Sequence, residues 1–334
     1  MATSRSVITG ITGQDGPLLA KHLLNQGGIV YGMHRRTSVQ KFHNLRTLGI
    51  LDHPNLILVE GDLLDLSCLC RVLHEYRPQH VYSLGAQSHV GTSFKEPLLT
   101  YQVTAGGVFN LLEAIRLVDK SIKFYQASSS EMYGAAPAPQ NEETRFHPRS
   151  PYAVAKCAAF WAVKNYRESY GMFASNGILF NHESILRPPE FVTRKITTAV
   201  ARIKIALDKG DKPEKLKLGS LDAMRDWGLA DEYVVAMEKI LNHTEPDDFV
   251  IATGESFTVE HFVKEAFACV GLDWKEWVEI DSRFVRPCEV PKLQGDASKA
   301  KNVLGWEATV RLPELINIMV NHDLAIERGE AYEC

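Results

Sequence analysis

The chain has 334 residues, of which 45% are hydrophobic, and its formal net charge at pH 7 is −4. This length and apolar content are sufficient for a large buried core. The small negative charge gives no reason to expect nucleic acid or a membrane surface as a partner, and no apolar run is long enough to span a bilayer. Because the first predicted strand begins at Arg5, we expect no signal peptide and a cytoplasmic protein.

The N-terminal segment predicts a dinucleotide-binding turn. Residues 5–9 have the composition of a short buried strand, and an apolar-periodic helix follows that ends at Gly27-Gly28. Gly10, Gly13 and Gly16 lie between the strand and the helix. Glycines at this position let backbone N–H groups approach a pyrophosphate at a helix N-terminus, where the helix dipole favours negative charge.

The second predicted strand, residues 29–34, ends in Arg35-Arg36 rather than in an acidic residue. An acidic residue at this point would bond the ribose 2′-hydroxyl of NAD, whereas arginine accommodates the 2′-phosphate of NADP. The sequence therefore predicts NADP as the cofactor. A solvated basic loop is the alternative interpretation.

Strands and helices alternate along the first half of the chain. Further strands are predicted at 55–60, 80–84, 123–127 and 173–179, and helices at 65–76, 99–117 and 151–170. This alternation is typical of an α/β fold with a doubly wound parallel (Rossmann-type) sheet, whose ligands lie outside the carboxyl ends of the strands. The predicted helix 99–117 contains Gly106-Gly107, which disfavours a helix interior; close packing against the cofactor or the sheet would explain it, although the sequence does not establish this.

The second half of the chain is broken into shorter elements by Pro188-Pro189 and the charged stretch 208–217. We predict an NADP-binding domain at 1–180 and a smaller C-terminal α/β substrate domain at 181–334, with segments around 226–255 returning to the first domain. Several cationic side chains of this half suit an anionic ligand such as a nucleotide diphosphate, although surface ion pairs are the alternative.

Tyr152 and Lys156 are four residues apart in a helical segment, so both side chains are predicted on one face. A neighbouring ammonium favours the tyrosine phenolate and lowers its pKa toward the working range of a general base. An ordinary amphipathic helix would show the same spacing. Glu131, two residues after Ser129, adds a carboxylate that can move a proton at a carbon atom, which indicates a dehydratase; a helix-capping acid is the alternative.

The chain resembles the extended short-chain dehydrogenase/reductase superfamily and, within it, the GDP-mannose 4,6-dehydratases. The resemblance runs almost end to end and depends on the order of several segments, which include TGITGQDG at 9–16, LGAQSHV at 84–90, SSSEMYG at 128–134, PRSPYAVAK at 148–156, FVTRK at 191–195 and LDAMRDWG at 221–228. It implies conversion of a GDP-sugar by hydride transfer from C4 to C6 with loss of water, and regeneration of the cofactor within each turnover.

The resemblance also implies the site. The catalytic residues would be Ser129, Glu131, Tyr152 and Lys156. The implied contacts to NADP are Gly10, Thr12, Gly13, Gln14, Asp15, Gly16, Arg35, Arg36, Asp62, Leu63, Leu84, Ala86, Gln87, Ser88, Tyr101, Lys156, His182 and Arg187. The implied contacts to the GDP-sugar are Ser88, Ser129, Glu131, Tyr152, Asn181, Val192, Lys195, Arg225, Arg286 and Glu289. No metal site is expected, since the cysteines are scattered.

The chain departs from the family pattern after Ser184, where Ile185-Leu186-Arg187-Pro188-Pro189 replaces a Pro-Arg-Arg-Gly continuation. Three hypotheses follow: a dehydratase for GDP-mannose, a related enzyme for another nucleotide sugar (a GDP-heptose dehydratase, or a 4-keto reductase or epimerase), and a nucleotide-binding protein without activity. Family members form dimers through two helices per subunit, and some form tetramers, so a homodimer or homotetramer is expected, with helices 99–117 and 151–170 as plausible interfaces.

Overall fold

A computed structural model describes residues 4–39, 42–284 and 288–330. The strands over these residues are β1 (Arg5–Thr9), β2 (Ile29–His34), β3 (Leu56–Glu60), β4 (His80–Ser83), β5 (Lys123–Ser129), β6 (Ala174–Leu179), β7 (Asn181–Glu183), β8 (Leu216–Leu218), β9 (Met224–Arg225), β10 (Trp227–Leu229), β11 (Asp248–Ile251), β12 (Phe257–Thr258) and β13 (Val278–Ile280). The helices are α1 (Asp15–Asn25), α2 (His43–Thr47), α3 (Leu66–Tyr76), α4 (Val90–Lys95), α5 (Pro97–Tyr101), α6 (Gly107–Val118), α7 (Pro151–Tyr170), α8 (Val192–Asp208), α9 (Ala230–Asn242), α10 (Val259–Ala268), α11 (Trp274–Trp277) and α12 (Leu312–Arg328).

Within this described part, seven parallel strands form one sheet in the order β11-β6-β5-β4-β1-β2-β3. The order reverses beside β1, since the chain runs from β1 to β2 and β3 on one side and from β4 to β5 and β6 on the other. The predicted α/β fold with a doubly wound parallel sheet is confirmed. Ligands of such sheets bind at this reversal, outside the carboxyl ends of the strands.

Apolar side chains cover both faces of the sheet. One core lies against α1 and α9, and the opposite core lies against α3, α6 and α7. A third core joins α8, α10 and α12 in the second half of the chain. Strand β11 is the edge strand of the main sheet beside β6, and helix α9 packs on the sheet next to α1. The division of the chain into domains at residue 180 stays a prediction.

Local signals explain where the site helix begins and ends. The Ser150 hydroxyl accepts a hydrogen bond from the Ala153 N–H at the start of α7, and Pro151 occupies the first helical position. The helix ends at Gly171, whose φ of 64° suits glycine. The predicted helix 99–117 is in fact α5, a π-helical turn over Gln102–Gly106 and α6. A side chain at Gly107 would meet Leu63 at 2.8 Å, so this glycine lets α6 approach the residue that follows β3.

No helix in the described ranges combines the length and apolar character needed to cross a membrane.

Candidate active site

A cleft of about 1400 Å³ lies at the carboxyl ends of β1, β4, β5 and β6, between the sheet and the second half of the chain. The predicted site residues that line it are Gly10, Thr12, Gly13, Gln14, Asp15, Gly16, Arg35, Asp62, Leu63, Leu84, Ala86, Gln87, Ser88, Ser129, Glu131, Tyr152, Lys156, Asn181, His182, Arg187, Val192, Lys195, Arg225 and Glu289. Arg36 and Tyr101 do not line it, and Tyr101 is half exposed on α5. Arg286 lies outside the described residues.

The glycine turn between β1 and α1 is shaped for close backbone approach. Gly10 has a φ of 74°, and a side chain there would meet the Gly85 amide nitrogen at 2.9 Å. A side chain at Gly16 would meet the Gly10 carbonyl oxygen at 2.5 Å. The space in front of Gly13 is less restricted, since its nearest neighbour would lie at 3.4 Å. The N-terminus of an eleven-residue helix therefore faces the cleft across an open turn, a combination that fits the pyrophosphate of a dinucleotide.

A buried polar network ties this turn to β7. The imidazole of His182 contacts the Asp15 carboxylate through Nε2 at 2.9 Å and the Phe180 carbonyl oxygen through Nδ1 at 2.7 Å. The Gln14 amide donates to Asp15 and to the His182 carbonyl, and it accepts from the Ser184 hydroxyl. Both ring nitrogens of His182 therefore have hydrogen-bond partners within the protein. The cofactor contact predicted for His182 stays a prediction, and it would have to involve the ring carbons or the backbone.

The pairing of Asp15 with His182 outweighs burial in setting the pKa values of both side chains. Burial raises the pKa of Asp15, but the His182 charge and hydrogen bond, together with Gln14, outweigh it and lower the pKa to about 2. Burial likewise lowers the pKa of His182, yet the Asp15 carboxylate raises it above its usual value overall. Both shifts favour the charged form of each partner, an imidazolium beside a carboxylate.

Ser129, Glu131 and Tyr152 meet at the carboxyl end of β5. Strand β5 ends at Ser129, and a single 3₁₀ turn over Ser130–Met132 carries Glu131 into the cleft. The Ser129 hydroxyl accepts the Glu131 backbone N–H at 3.2 Å, so the capping residue of this turn is the serine and not the glutamate. The Ser129 hydroxyl also bonds Tyr152, whose pKa responds to the Glu131 charge.

The electrostatics of Tyr152 differ from the sequence-based expectation. Burial raises its pKa to about 12, while the Ser129 hydrogen bond and the Arg187 charge act in the lowering direction. Lys156 lies on the same helical face, as predicted, but its ammonium donates to the Ala127 carbonyl at 2.5 Å and sits 5.8 Å from the centre of the Tyr152 ring. Burial also lowers the pKa of Lys156 to about 8. The predicted lowering of the Tyr152 pKa by Lys156 is wrong for this arrangement, because helical spacing does not reveal the cost of burial.

Loop 185–189, where the sequence departs from the family, is anchored by apolar packing. Leu186 is buried in the core beside α1 and α9, and Ile185 packs against the same core. Arg187 still lines the cleft, where its guanidinium lies 3.8 Å from the centre of the Phe191 ring and its Nε lies 3.0 Å from the buried Glu183 carboxylate. Arg187 therefore keeps a positive charge at the cleft, with Phe191 and Glu183 in contact with its side chain.

The far end of the cleft is cationic. Arg225 is 6% exposed, donates to the Val290 carbonyl at 2.8 Å and contacts Glu289 at 3.0 Å. Lys195 projects from α8 with its ammonium 3.4 Å from the centre of the Phe284 ring. A buried guanidinium and an ammonium that lies against an aromatic ring suit a nucleotide diphosphate.

Several cleft residues escaped sequence reasoning, namely Glu183, His89, Phe191, Arg283 and Phe284. Glu183 and Phe191 lie four residues before and after Arg187 and contact its side chain, but the segment between β7 and α8 has no regular periodicity that would predict these contacts. The sequence did signal Phe191 weakly, since it begins the FVTRK segment. Among residues 4–39, 42–284 and 288–330, no cluster of three or more His, Cys, Asp or Glu side chains is arranged to hold a metal ion.

Comparison with known proteins places these features in a family. A family model described as GDP-mannose 4,6 dehydratase matches residues 7–319. The chain is 50% identical over 335 residues to GDP-mannose 4,6 dehydratase 2 of Arabidopsis thaliana, with 97% of this chain and 88% of the relative covered. It is 45% identical to GDP-mannose 4,6-dehydratase of Vibrio cholerae, with 98% and 95% covered. The fold is similar to that of dTDP-glucose 4,6-dehydratase from Bacillus anthracis, solved in complex with NAD (TM-score 0.84, 22% identity, 98% and 99% covered).

Proposed function

The chain belongs to the GDP-mannose 4,6-dehydratase family, and we propose GDP-mannose as its substrate, with GDP-4-keto-6-deoxy-mannose and water as its products. The observation that carries the proposal is the meeting of Ser129, Glu131 and Tyr152 at one end of a cleft. The glycine turn and the cationic end of that cleft provide for a dinucleotide and a nucleotide diphosphate. Oxidation at C4 needs only the hydroxyls of Ser129 and Tyr152, whereas elimination of water also needs a base for the C5 proton, which the Glu131 carboxylate provides.

The residues divide the proton transfers among themselves. A nicotinamide dinucleotide, when bound, would supply the redox chemistry, as hydride acceptor at C4 and hydride donor at C6. Tyr152 as phenolate accepts the proton of the C4 hydroxyl, and Arg187 and the Ser129 hydroxyl favour that phenolate against burial and the Glu131 charge. Glu131 removes the C5 proton, which the new C4 ketone makes acidic, and transfers a proton to the departing C6 hydroxyl. Tyr152 returns its proton to C5, so one water is lost and the cofactor is unchanged.

NADP is the proposed form of the cofactor. Arg35 follows β2 directly and lines the cleft on the side of Asp62 and Leu63. An arginine at the end of the second strand of such a sheet favours the 2′-phosphate of NADP. Replacement of Arg35 by glutamate tests this assignment, because it exchanges the favourable charge for a repulsive one. The expected result is a loss of NADP affinity with little change for NAD.

A second copy of the chain is the proposed partner for the surface of α5, α6 and α7. These helices expose Leu98, Phe109, Val154, Trp161 and Tyr170, each with at least 40% of its area accessible. Large apolar side chains exposed on neighbouring helices suit an interaction surface, and α5 and α6 pack against α7. A homodimer related by a twofold axis would bury them.

A labelling experiment tests the reaction. The protein is incubated with GDP-mannose and catalytic NADP in deuterated water, and the expected product is a 4-keto-6-deoxy sugar that carries deuterium at C5. Net accumulation of NADPH, or no product, would contradict the proposal. Glu131→Gln should bind NADP and GDP as the wild type does but release no product, whereas the matched variant at the exposed Glu143, Glu143→Gln, should retain turnover.

A further inference from the structure

We propose that Asp226 is a positioning residue that holds the two walls of the cleft at its nucleotide-sugar end, an inference that rests on the proposed function. Asp226 does not line the cleft and is fully buried. It lies between the short strands β9 and β10. Because Asp226 does not reach the cleft, we infer that its carboxylate acts through the groups that it binds.

The carboxylate joins three separate segments of the chain. Its Oδ1 accepts the Thr253 N–H at 2.9 Å and the Thr253 hydroxyl at 2.7 Å. Its Oδ2 accepts the Gly254 N–H at 2.9 Å and the Gly295 N–H at 3.1 Å. Four donors thus converge on one side chain, and charge-assisted bonds of this kind are stronger than neutral ones. Residues 253–254 follow β11, and Gly295 follows the segment that carries Glu289.

The strands on either side of Asp226 both position residues of the cleft: β9 carries one, and β10 pairs with the strand that carries another. On one side, β9 carries Arg225, which pairs across the antiparallel ladder with Phe257. On the other side, β10 begins at Trp227, which is the partner of Asn181 on β7. Asn181 lines the cleft, and its buried side-chain oxygen has no hydrogen-bond partner among the described residues. Both walls therefore depend on the position of the single residue that joins the two strands.

The Arg225 side chain depends on the same junction. Its guanidinium contacts Val290 and Glu289, and the segment that carries them is tied to Asp226 through Gly295. Loss of the Asp226 carboxylate would release both the 289–295 segment and the end of β9. The Arg225 guanidinium would then lose the partners that hold it and the strand that carries it. Displacement of a binding group by about 1 Å is sufficient to weaken its contact strongly.

Asp226→Asn is the informative variant because it preserves size. Its Oδ1 can still accept the two Thr253 donors, but the amide N–H₂ would face the Gly254 and Gly295 N–H groups and leave two buried donors without an acceptor. The affinity for GDP, measured by calorimetry on the full chain, is expected to fall about tenfold, which corresponds to about 1.4 kcal/mol. KM for GDP-mannose should rise in parallel, while kcat and the Kd for NADP stay within about twofold.

Asp248→Asn provides the matched control. Asp248 is also a buried carboxylate with several partners, since it pairs with Arg167 at 2.8 Å and accepts from Asn176, but it lies on β11, away from the cleft lining. Its loss should lower Tm without changing the Kd for GDP. An unchanged Kd in folded Asp226→Asn, or an equal weakening in Asp248→Asn, would overturn the proposal.

A milder variant covers the case in which Asp226→Asn does not fold. Thr253→Val removes the hydroxyl that donates to Asp226 and also accepts the Glu255 N–H, and it leaves the three backbone donors to Asp226 in place. A smaller loss of GDP affinity, of about threefold, is expected, and an unchanged affinity in this variant would count against the proposal. GDP binding does not require turnover, so the two proposals fail separately. A wild-type protein that binds GDP without dehydrating GDP-mannose contradicts the proposed reaction alone.

Discussion

Removal of the Asp15 carboxylate tests whether the buried ion pair stabilises the link between the glycine turn and β7. The side chains of Asp15 and His182 are 20% and 12% exposed, so solvent screens their interaction only in part. The fold lowers the pKa of Asp15 from 3.8 to about 2. One pKa unit corresponds to about 1.4 kcal/mol, so ionised Asp15 contributes about 2 kcal/mol to the free energy of unfolding. We expect Asp15→Asn to lower the free energy of unfolding by about 2 kcal/mol at pH 6.

The pH dependence of this stabilisation follows from the directions in which folding shifts the pKa values of Asp15 and His182. The folded pKa of Asp15 is depressed, so its contribution is present above 3.8 and is lost as the pH falls through about 2. The folded pKa of His182 is raised, so its contribution is complete below 6.5 and is lost as the pH rises through the higher folded value. The difference between wild type and Asp15→Asn should therefore be largest between about pH 4 and pH 6.5 and should shrink in alkali.

Urea unfolding followed by circular dichroism between pH 5 and pH 9 measures this difference. Glu75→Gln is the control, because Glu75 pairs with Arg71 on an exposed surface of α3 and such pairs contribute little. A loss below about 0.5 kcal/mol at pH 6 in Asp15→Asn, or a loss that does not vary with pH, would refute the assignment of the network as an ion pair.

Other variants probe the remaining parts of the site. Tyr152→Phe should lower kcat by about a hundredfold or more while NADP still binds, because general acid–base catalysis contributes on that order; near-wild-type turnover would exclude Tyr152 as the base. Lys156 has a pKa of about 8, so NADP affinity should weaken as the pH rises through that value, and Lys156→Arg should abolish this dependence, as titration by fluorescence would show. Arg35→Glu should raise the Kd for NADP by about tenfold or more relative to NAD, since it removes one charged contact, and equal losses for both cofactors would contradict the assignment. Trp161→Glu should convert a dimer to monomers in sedimentation experiments, and an unchanged mass would place the interface elsewhere.

The sequence alone predicted the parts of the molecule that local chemistry governs. Alternating strand and helix patterns gave the parallel sheet, since hydrophobic periodicity depends on neighbouring residues. The glycines at 10, 13 and 16 predicted the turn for the same reason, and at positions 10 and 16 only a residue without a side chain fits the backbone approach. Resemblance then added the family, which the comparisons confirm, and the roles of Glu131 and Tyr152, which stay predictions.

Only the tertiary structure decided how these groups affect one another. Helical spacing put Lys156 beside Tyr152, yet burial raises the pKa of Tyr152, and the Lys156 ammonium donates to the Ala127 carbonyl on β5. His182 was expected at the cofactor, but both of its ring nitrogens meet partners on distant parts of the chain. Asp226 carried no signal in the sequence, because its four donors come from residues 27 to 69 positions away. Desolvation and long-range contacts depend on the packed chain, and the sequence order does not contain them.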